Sequence, residues 1–297
     1  MATITKNTLS PMLLDILAKE IILETQPNFI WRNFANIKED ITNTPGTKVR
    51  FIKVDDITGG GILDEEDFVP TQTISSSIVE IEVKEFGNSI EFTRLASQAS
   101  VVDLYEAIKE LLSKNYLEVV DGYLRDVYYT ILNTYYFNGT YNGAVAMAGV
   151  NQPFNVDTIR NTISKMKESL IPPFLIDGKQ YYVCVLHPRQ MASLRQDARW
   201  ANAYYFNNTD VIYNGQSGIF EGVIFIESVT VRSSSNGTDP TFGAVFLGDN
   251  QVGLAIASEL EIIEDPPQDL GRFRRIGWYQ IMGAGVVNNH GYIVWTL

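Results

Sequence analysis

The spacing of apolar and polar positions changes several times along the chain, and each change marks an element. Residues 8–40 carry Leu13, Leu14, Leu17, Ile21 and Ile22, then Phe29, Ile30, Trp31 and Phe34, with Pro11 and Pro27 as breakers. This predicts one or two short helices in an N-terminal arm, residues 1–47. The arm has too few apolar residues to close a core. Its aromatic cluster, Phe29, Trp31 and Phe34, is therefore expected to find cover on a partner surface such as another chain. From Lys48 the period becomes two, with Val49, Phe51 and Lys53 on one side of a strand and Arg50, Ile52 and Val54 on the other. A second strand series runs from Ile74 to Phe92. Between the two, residues 55–73 hold Gly59-Gly60-Gly61 and Asp64-Glu65-Glu66-Asp67 and little that packs. The reading is a long hairpin, 48–92, with a flexible acidic tip, and a loop of that length inside a compact domain is usually functional.

Asp103 then opens the strongest helical stripe, with Glu106 at capping-box spacing and Leu104, Ile108, Leu112, Tyr116, Val119, Val120, Tyr123, Leu124, Val127 and Ile131 in helical phase. About thirty residues, 103–134, at ~1.5 Å each predict a rod of roughly 45 Å. The glycine-rich stretch 138–149 reads as a loop. Asn155 is placed to cap a helix bearing Val156, Ile159, Ile163 and Met166 that ends before Pro172-Pro173. A nearly continuous apolar strand, Tyr181 to Leu186, and a helix from Pro188 to about Asp197 follow. Phe220 to Val231 is a strand region, Ser233 to Gly237 a turn, and further strands occupy 243–247, 252–257 and 259–264, with two closing strands around Asn288-Asn289. The class is α+β, without the regular strand-helix alternation of a doubly wound sheet.

Composition narrows what such a fold can do. The chain has 297 residues, 45% of them hydrophobic and 20% charged, the profile of a soluble globular protein of one or two domains. A net charge of -12 argues against gripping nucleic acid by phosphate neutralisation. The single cysteine, Cys184, excludes an internal disulfide, so a reducing cytoplasm suits the chain. The first residues do not resemble a signal peptide, and no apolar run is long enough to span a membrane.

Catalytic signatures are missing. Two histidines, His187 and His290, stand outside any HExxH, CxxC or HxH spacing, so no metal site is expected. Cys184 and His187 lie three apart, on opposite faces if both are in a strand, and cannot form a nucleophile-base pair directly. Gly283-Ala284-Gly285 lacks the third glycine and the following helix of a dinucleotide fingerprint. Gly59-Gly60-Gly61 precedes no Lys-Ser or Lys-Thr, and Asp64 to Asp67 lack the alternate spacing of a calcium loop. No catalytic residue and no cofactor are assigned. Two charge clusters remain, acidic Asp64, Glu65, Glu66 and Asp67, and basic Arg272, Arg274 and Arg275, either solvated and locally paired or in contact between subunits.

An arm, a long hairpin, a rod helix and a mixed-sheet region ending in paired strands resemble the major capsid proteins of tailed bacteriophages, the Hong Kong 97-type fold. Several blocks resemble the phage N4-like coat protein family in particular: residues 83–93, VKEFGNSIEFT; Leu186-His187-Pro188 with its helix; residues 218–228, GIFEGVIFIES; and Gly277-Trp278. The resemblance spans roughly Pro45 to Leu297. It implies a subunit that self-assembles as pentamers and hexamers into an icosahedral shell around double-stranded DNA, made in the bacterial host cytoplasm and ending in the virion capsid. It further implies an extended loop, 48–92, over a neighbour, a peripheral domain at 93–177 with spine helix 103–134, a mostly axial domain at 178–271, and strands 272–297 returning to the peripheral domain. Expected partners are further copies of the chain, a portal, and a separate scaffold or cement protein if one is used, since the arm is too short for a fused scaffold. The stretch 57–68 holds no lysine, so the covalent cross-link of the founding phage is not expected. An encapsulin-like compartment and, from a different class, a small acidic hydrolase remain as alternatives.

Overall fold

The computed structural model describes residues 30–38, 47–54, 61–62, 68–69, 71–95, 104–131, 134–136, 153–176, 178–200, 218–235 and 240–297. Its centre is helix α1, Leu104–Tyr128. Every third or fourth residue is apolar, so Ile108, Leu112, Tyr116, Val120, Leu124 and Tyr128 form one buried stripe. The helix is shorter than the sequence stripe suggests. After Tyr128 the main chain tightens, Thr130 N–H bonding to the Val127 carbonyl and Ile131 N–H to that of Tyr128, and the chain leaves the helix. Ile131 keeps its place in the core without being helical. Twenty-five residues make a rod of about 38 Å.

Two sheets flank α1. The first has strand order β1 (Asn36–Lys38), β12 (Val252–Glu264), β13 (Phe273–Val286), β4 (Lys84–Thr93). Period two sends Ile276, Trp278, Gln280 and Met282 of β13 inward. Trp278 meets Tyr116 edge-on at 5.2 Å and donates its indole N–H to Asn115 Oδ1 at 3.2 Å, which also accepts from Asn88 of β4 at 2.9 Å. The Tyr123 hydroxyl, one helical turn from the middle of the stripe, accepts the Ala284 N–H at 3.2 Å. The helix is thus fixed along the length of β13 by shape and by matched polar atoms.

The second sheet runs β5 (Thr134–Tyr136), β14 (Gly291–Thr296), β11 (Pro240–Leu247), β7 (Lys179–Leu186), β9 (Val223–Glu227), β8 (Ile219–Phe220), with β10 (Ser233–Ser235) on β11 and β6 (Phe174–Ile176) on β7. Strands β7 and β11 read as unbroken apolar runs because both their faces are covered. Val183, Val185, Val245 and Leu247 join the core around α1. Tyr182, Cys184, Leu186, Ala244 and Phe246 join a second core beneath α2 (Val156–Glu168) and α3 (Pro188–Arg195). As expected, Asn155 caps α2 by accepting the Thr158 N–H at 3.0 Å.

Several expectations need correcting. Residues 252–264 form one irregular strand paired to β13, because register shifts between Ile256 and Glu261 absorb the break in pattern. The closing strands part company: β13 joins the first sheet, whereas β14 joins the second beside β11. Strand β5 pairs with β14, and α2 packs in the second core. Ser233–Ser235, expected in a turn, is an edge strand on β11.

The hairpin is present, and its return strand is two strands. Strand β2 (Lys48–Val54) pairs antiparallel with β3 (Ser76–Glu82), Phe51 opposite Val79. After Val83 the chain passes into β4 and the first sheet. At that crossing Gly283 lies under the main chain, where an added Cβ would sit 2.3 Å from the Glu82 carbonyl oxygen. We predict that Gly283→Ala destabilises the fold by ~1–3 kcal/mol, because backbone rather than a flexible side chain must move. The loss should appear as a lower thermal midpoint, and an unchanged midpoint would show that the crossing has room.

Candidate functional site

The residues first considered for chemistry are structural. Cys184 is fully buried, and desolvation raises its thiol well above the ordinary range, which disfavours the nucleophilic thiolate. His187 caps α3: its Nδ1 accepts the Arg189 N–H at 3.2 Å, while the His187 N–H is taken by the Gln190 side chain at 3.0 Å. Gln190 in turn donates to the Phe242 carbonyl and the Thr296 hydroxyl. Among the described residues no group of three or more His, Cys, Asp or Glu side chains is placed to hold a metal.

The distinctive surface is the β2–β3 ribbon. Its inward face holds Val49, Phe51 and Ile81, all buried together with Ala255. They are seated on two glycines that face each other across β12 and β13, Gly253 and Gly285. A Cβ on Gly253 would lie 2.6 Å from the Phe51 ring, and one on Gly285 would lie 3.1 Å from Ile81. The absence of those two side chains makes the socket. Outward, the same strands carry Lys48 and Arg50, both paired with Glu80, and then an apolar strip, Ile52 (70% exposed), Val54 (60%) and Ile78 (55%). Ile52 and Ile78 are direct cross-strand neighbours. Nearer the tip Ile62, Phe68, Val69 and Ile74 are exposed too. The ribbon is docked at its base and apolar, uncovered, beyond it.

The sequence-predicted contacts fall out differently. Asp64, Glu65, Glu66, Asp67 and Phe29 lie outside the described residues. Trp31 does not wait for a partner: it is completely buried, its ring 5.4 Å from Tyr128 and its indole N–H bonded to Thr230 at 3.2 Å. Phe34, half-buried, meets Phe174 of its own chain edge-on at 5.8 Å. Arg272, Arg274 and Arg275 are not one patch, because adjacent strand residues face opposite ways. Arg275 lies on the outer face with Glu91 at 2.8 Å and Asp265 at 3.8 Å. Arg272 pairs with Asp269 in the turn. Arg274 lies opposite Phe92, on the α1 side, where its charge acts on Tyr105.

Composition hid two groups. Ile52, Val54 and Ile78 were readable from period two, as the face left over once Val49 and Phe51 are placed. Asp121 gave no such signal; it is a carboxylate on the buried side of α1, 8% exposed, and it accepts the N–H groups of Trp31 at 2.9 Å and Ile30 at 3.3 Å.

Residues 133–246 match a sequence-family model described as phage capsid protein. No curated protein sequence matches the chain. Its fold is similar to that of the capsid of the cyanophage Pam1 (TM-score 0.71, 16% identity, 89% of this chain and 88% of that one). It is also similar to the capsid of Ralstonia phage GP4 (0.68, 16%, 89% and 87%) and to the acid-stable capsid of the Helicobacter pylori bacteriophage KHP30 (0.65, 15%, 88% and 87%). The chain has the Hong Kong 97-type fold over nearly all its length.

The two faces of the ribbon should respond differently to substitution. Phe51→Ala, which empties the socket over Gly253, is expected to cost ~3 kcal/mol or more in local stability and to expose the hairpin to proteolysis. Ile52→Ser with Ile78→Ser should leave the isolated subunit within about 0.5 kcal/mol of the parent. Limited proteolysis and thermal melting of the purified chain decide, and equal sensitivity of the two variants would refute the asymmetry.

Proposed function

We propose that this chain is the major capsid protein of a tailed bacteriophage, assembling as pentamers and hexamers into the icosahedral shell that encloses a double-stranded DNA genome. One observation supports the reading: a capsid fold bearing a ribbon whose outer apolar strip is left exposed among the described residues. A two-stranded ribbon is marginal alone in water, and a further copy of the chain is the partner that a shell supplies. The net charge of -12 suits a wall that encloses DNA without gripping it. Within the reading, β1, β4, β12 and β13 with α1 act as the peripheral domain, the second sheet with α2 and α3 acts as the axial domain, and the ribbon is the extended loop. The N4-like blocks at 83–93 and 218–228 support that branch of the family. A portal and a separate scaffold or cement protein complete the partners; no helix among the described residues is long and apolar enough to cross a membrane.

The purified chain should sediment as capsomers or closed shells, with a total buried area per subunit well above the ~1,600 Å² of a standard interface. A monodisperse folded monomer at every concentration would overturn the reading, and a cargo protein in place of DNA inside particles from infected cells would favour the encapsulin-like alternative. The acidic tip, Asp64 to Asp67, is proposed to rest near basic side chains of the neighbour. Exposed pairs such as Arg275–Glu91 and Arg272–Asp269 contribute little to stability and can exchange partners at low cost. Reversing the four acids to lysine should reduce particle yield, with partial rescue when Arg272 and Arg275 are reversed to glutamate. Absence of any rescue in particle counts by electron microscopy would mean that the two groups do not meet.

A further inference from the structure

The described part of the N-terminal arm meets the body at Trp31, at Phe34 and through β1 on β12, and beside Trp31 lies a buried carboxylate, Asp121, that forms no ion pair among the described residues. Trp31 fills a slot between Tyr128 (5.4 Å) and Tyr129 (6.2 Å) of the helix end. Thr230, after β9, receives its indole N–H. The main chain of the same turn, at Ile30 and Trp31, donates to a single oxygen, Asp121 Oδ1, and the Arg32 N–H adds to the hold. No described cation forms an ion pair with Asp121. The nearest candidate, Arg125, one turn along α1, turns away to Asp126 at 2.8 Å and to the Thr230 carbonyl at 3.3 Å. Arg232, from the β9–β10 connection, is likewise tied to Asp126 at 3.1 Å. On the other side lies the Tyr128 hydroxyl, buried without a hydrogen-bond partner among the described residues; burial and the nearby Asp121 both raise its pKa. The Arg32 side chain acts on Tyr116, a turn and a half away, while its main-chain N–H reaches Asp121.

We propose that Asp121 is a proton-sensitive latch: its carboxylate seats residues 30–32 on the central helix, and the seat tightens when that carboxylate becomes neutral. The geometry gives the reason. An acceptor is needed at this spot, because two buried N–H groups point at it, yet a full negative charge is not, because no cation balances it inside the core. A protonated carboxyl keeps Oδ1 as acceptor and sheds the desolvation cost. Burial pushes the Asp121 carboxyl up to about 6, against the lowering effect of the Trp31 and Ile30 N–H groups and of Arg125. With the arm lifted, the carboxyl returns toward its ordinary 3.8. The seated state therefore binds the proton more tightly, so acid favours seating; the penalty carried by the charged form above pH 6 fades as pH falls through that value. Near neutrality residues 30–32 are held by Trp31 packing against an electrostatic cost, which makes their seat reversible. This goes beyond the capsid reading and does not rest on it.

Hydrogen exchange on the full-length chain tests the latch, reading the Ile30 and Trp31 amides after correction for intrinsic rates. Their protection should rise about tenfold between about pH 7.5 and about pH 5, as a carboxyl shifted by roughly two pH units requires. Asp121→Asn, which keeps the acceptor and drops the charge, should show high protection at both pH values. Asp121→Ala, without an acceptor, should show low protection at both. Protection that is flat or falls in acid, or an asparagine variant as weak as the alanine one, overturns the proposal. So does an equal acid response at Val245 and Phe246, central in the second sheet, because opening would then be global.

Discussion

A two-stranded ribbon has two faces and, in this chain, a support for only part of one. Phe51 and Ile81 sit in the socket made by Gly253 and Gly285, and one residue further along each strand the side chains point outward, where Ile52 and Ile78 stand beside each other in solvent. Adding the exposed tip residues gives an apolar surface that the described residues leave uncovered. The glycine pair draws the base of the ribbon against β12 and β13. Burial of one face thus leaves the other free, and on the proposed reading that free face is what a further copy of the chain covers.

The remainder of the fold is a stiff mount for the ribbon. Helix α1 shares one core with both sheets, so a load on β4 or β13 passes to the helix through the Trp278–Asn115–Asn88 contacts and the Tyr123–Ala284 bond. The same helix receives the arm at Asp121 and, beyond Tyr128, anchors the second sheet through Tyr129, whose hydroxyl donates to the Gly243 carbonyl and accepts the Arg232 N–H. The described arm and both sheets meet on one rod, and the ribbon seats on β12 and β13. Closely packed protein cores do not deform smoothly.

What the sequence made legible was what local chemistry decides. The Asn155 cap, the apolar run of β7 and the stripe of α1 follow from spacing alone, and so does the register in which Val49 and Phe51 face inward. Pairing between distant strands was not legible: nothing in residues 252–264 says that they join β13, or in 291–296 that they leave it. The cover that Trp31 finds was not legible because it comes from Tyr128 and Thr230, far along the chain, nor was the spread of Arg272, Arg274 and Arg275 over different faces, because closeness in sequence does not give direction in space. Asp121 was hidden because an acid within a helical stripe looks like any solvated one until the fold closes over it.

Labelling at position 78 tests the central claim most directly. The chain has one cysteine, fully buried, so Ile78→Cys adds a single reactive thiol on the outer face of the ribbon. The account predicts rapid maleimide labelling of dissociated subunits and strong protection in assembled particles. Equal labelling rates in the two states would contradict it, because the outer face would then remain as bare in the shell as in the free chain.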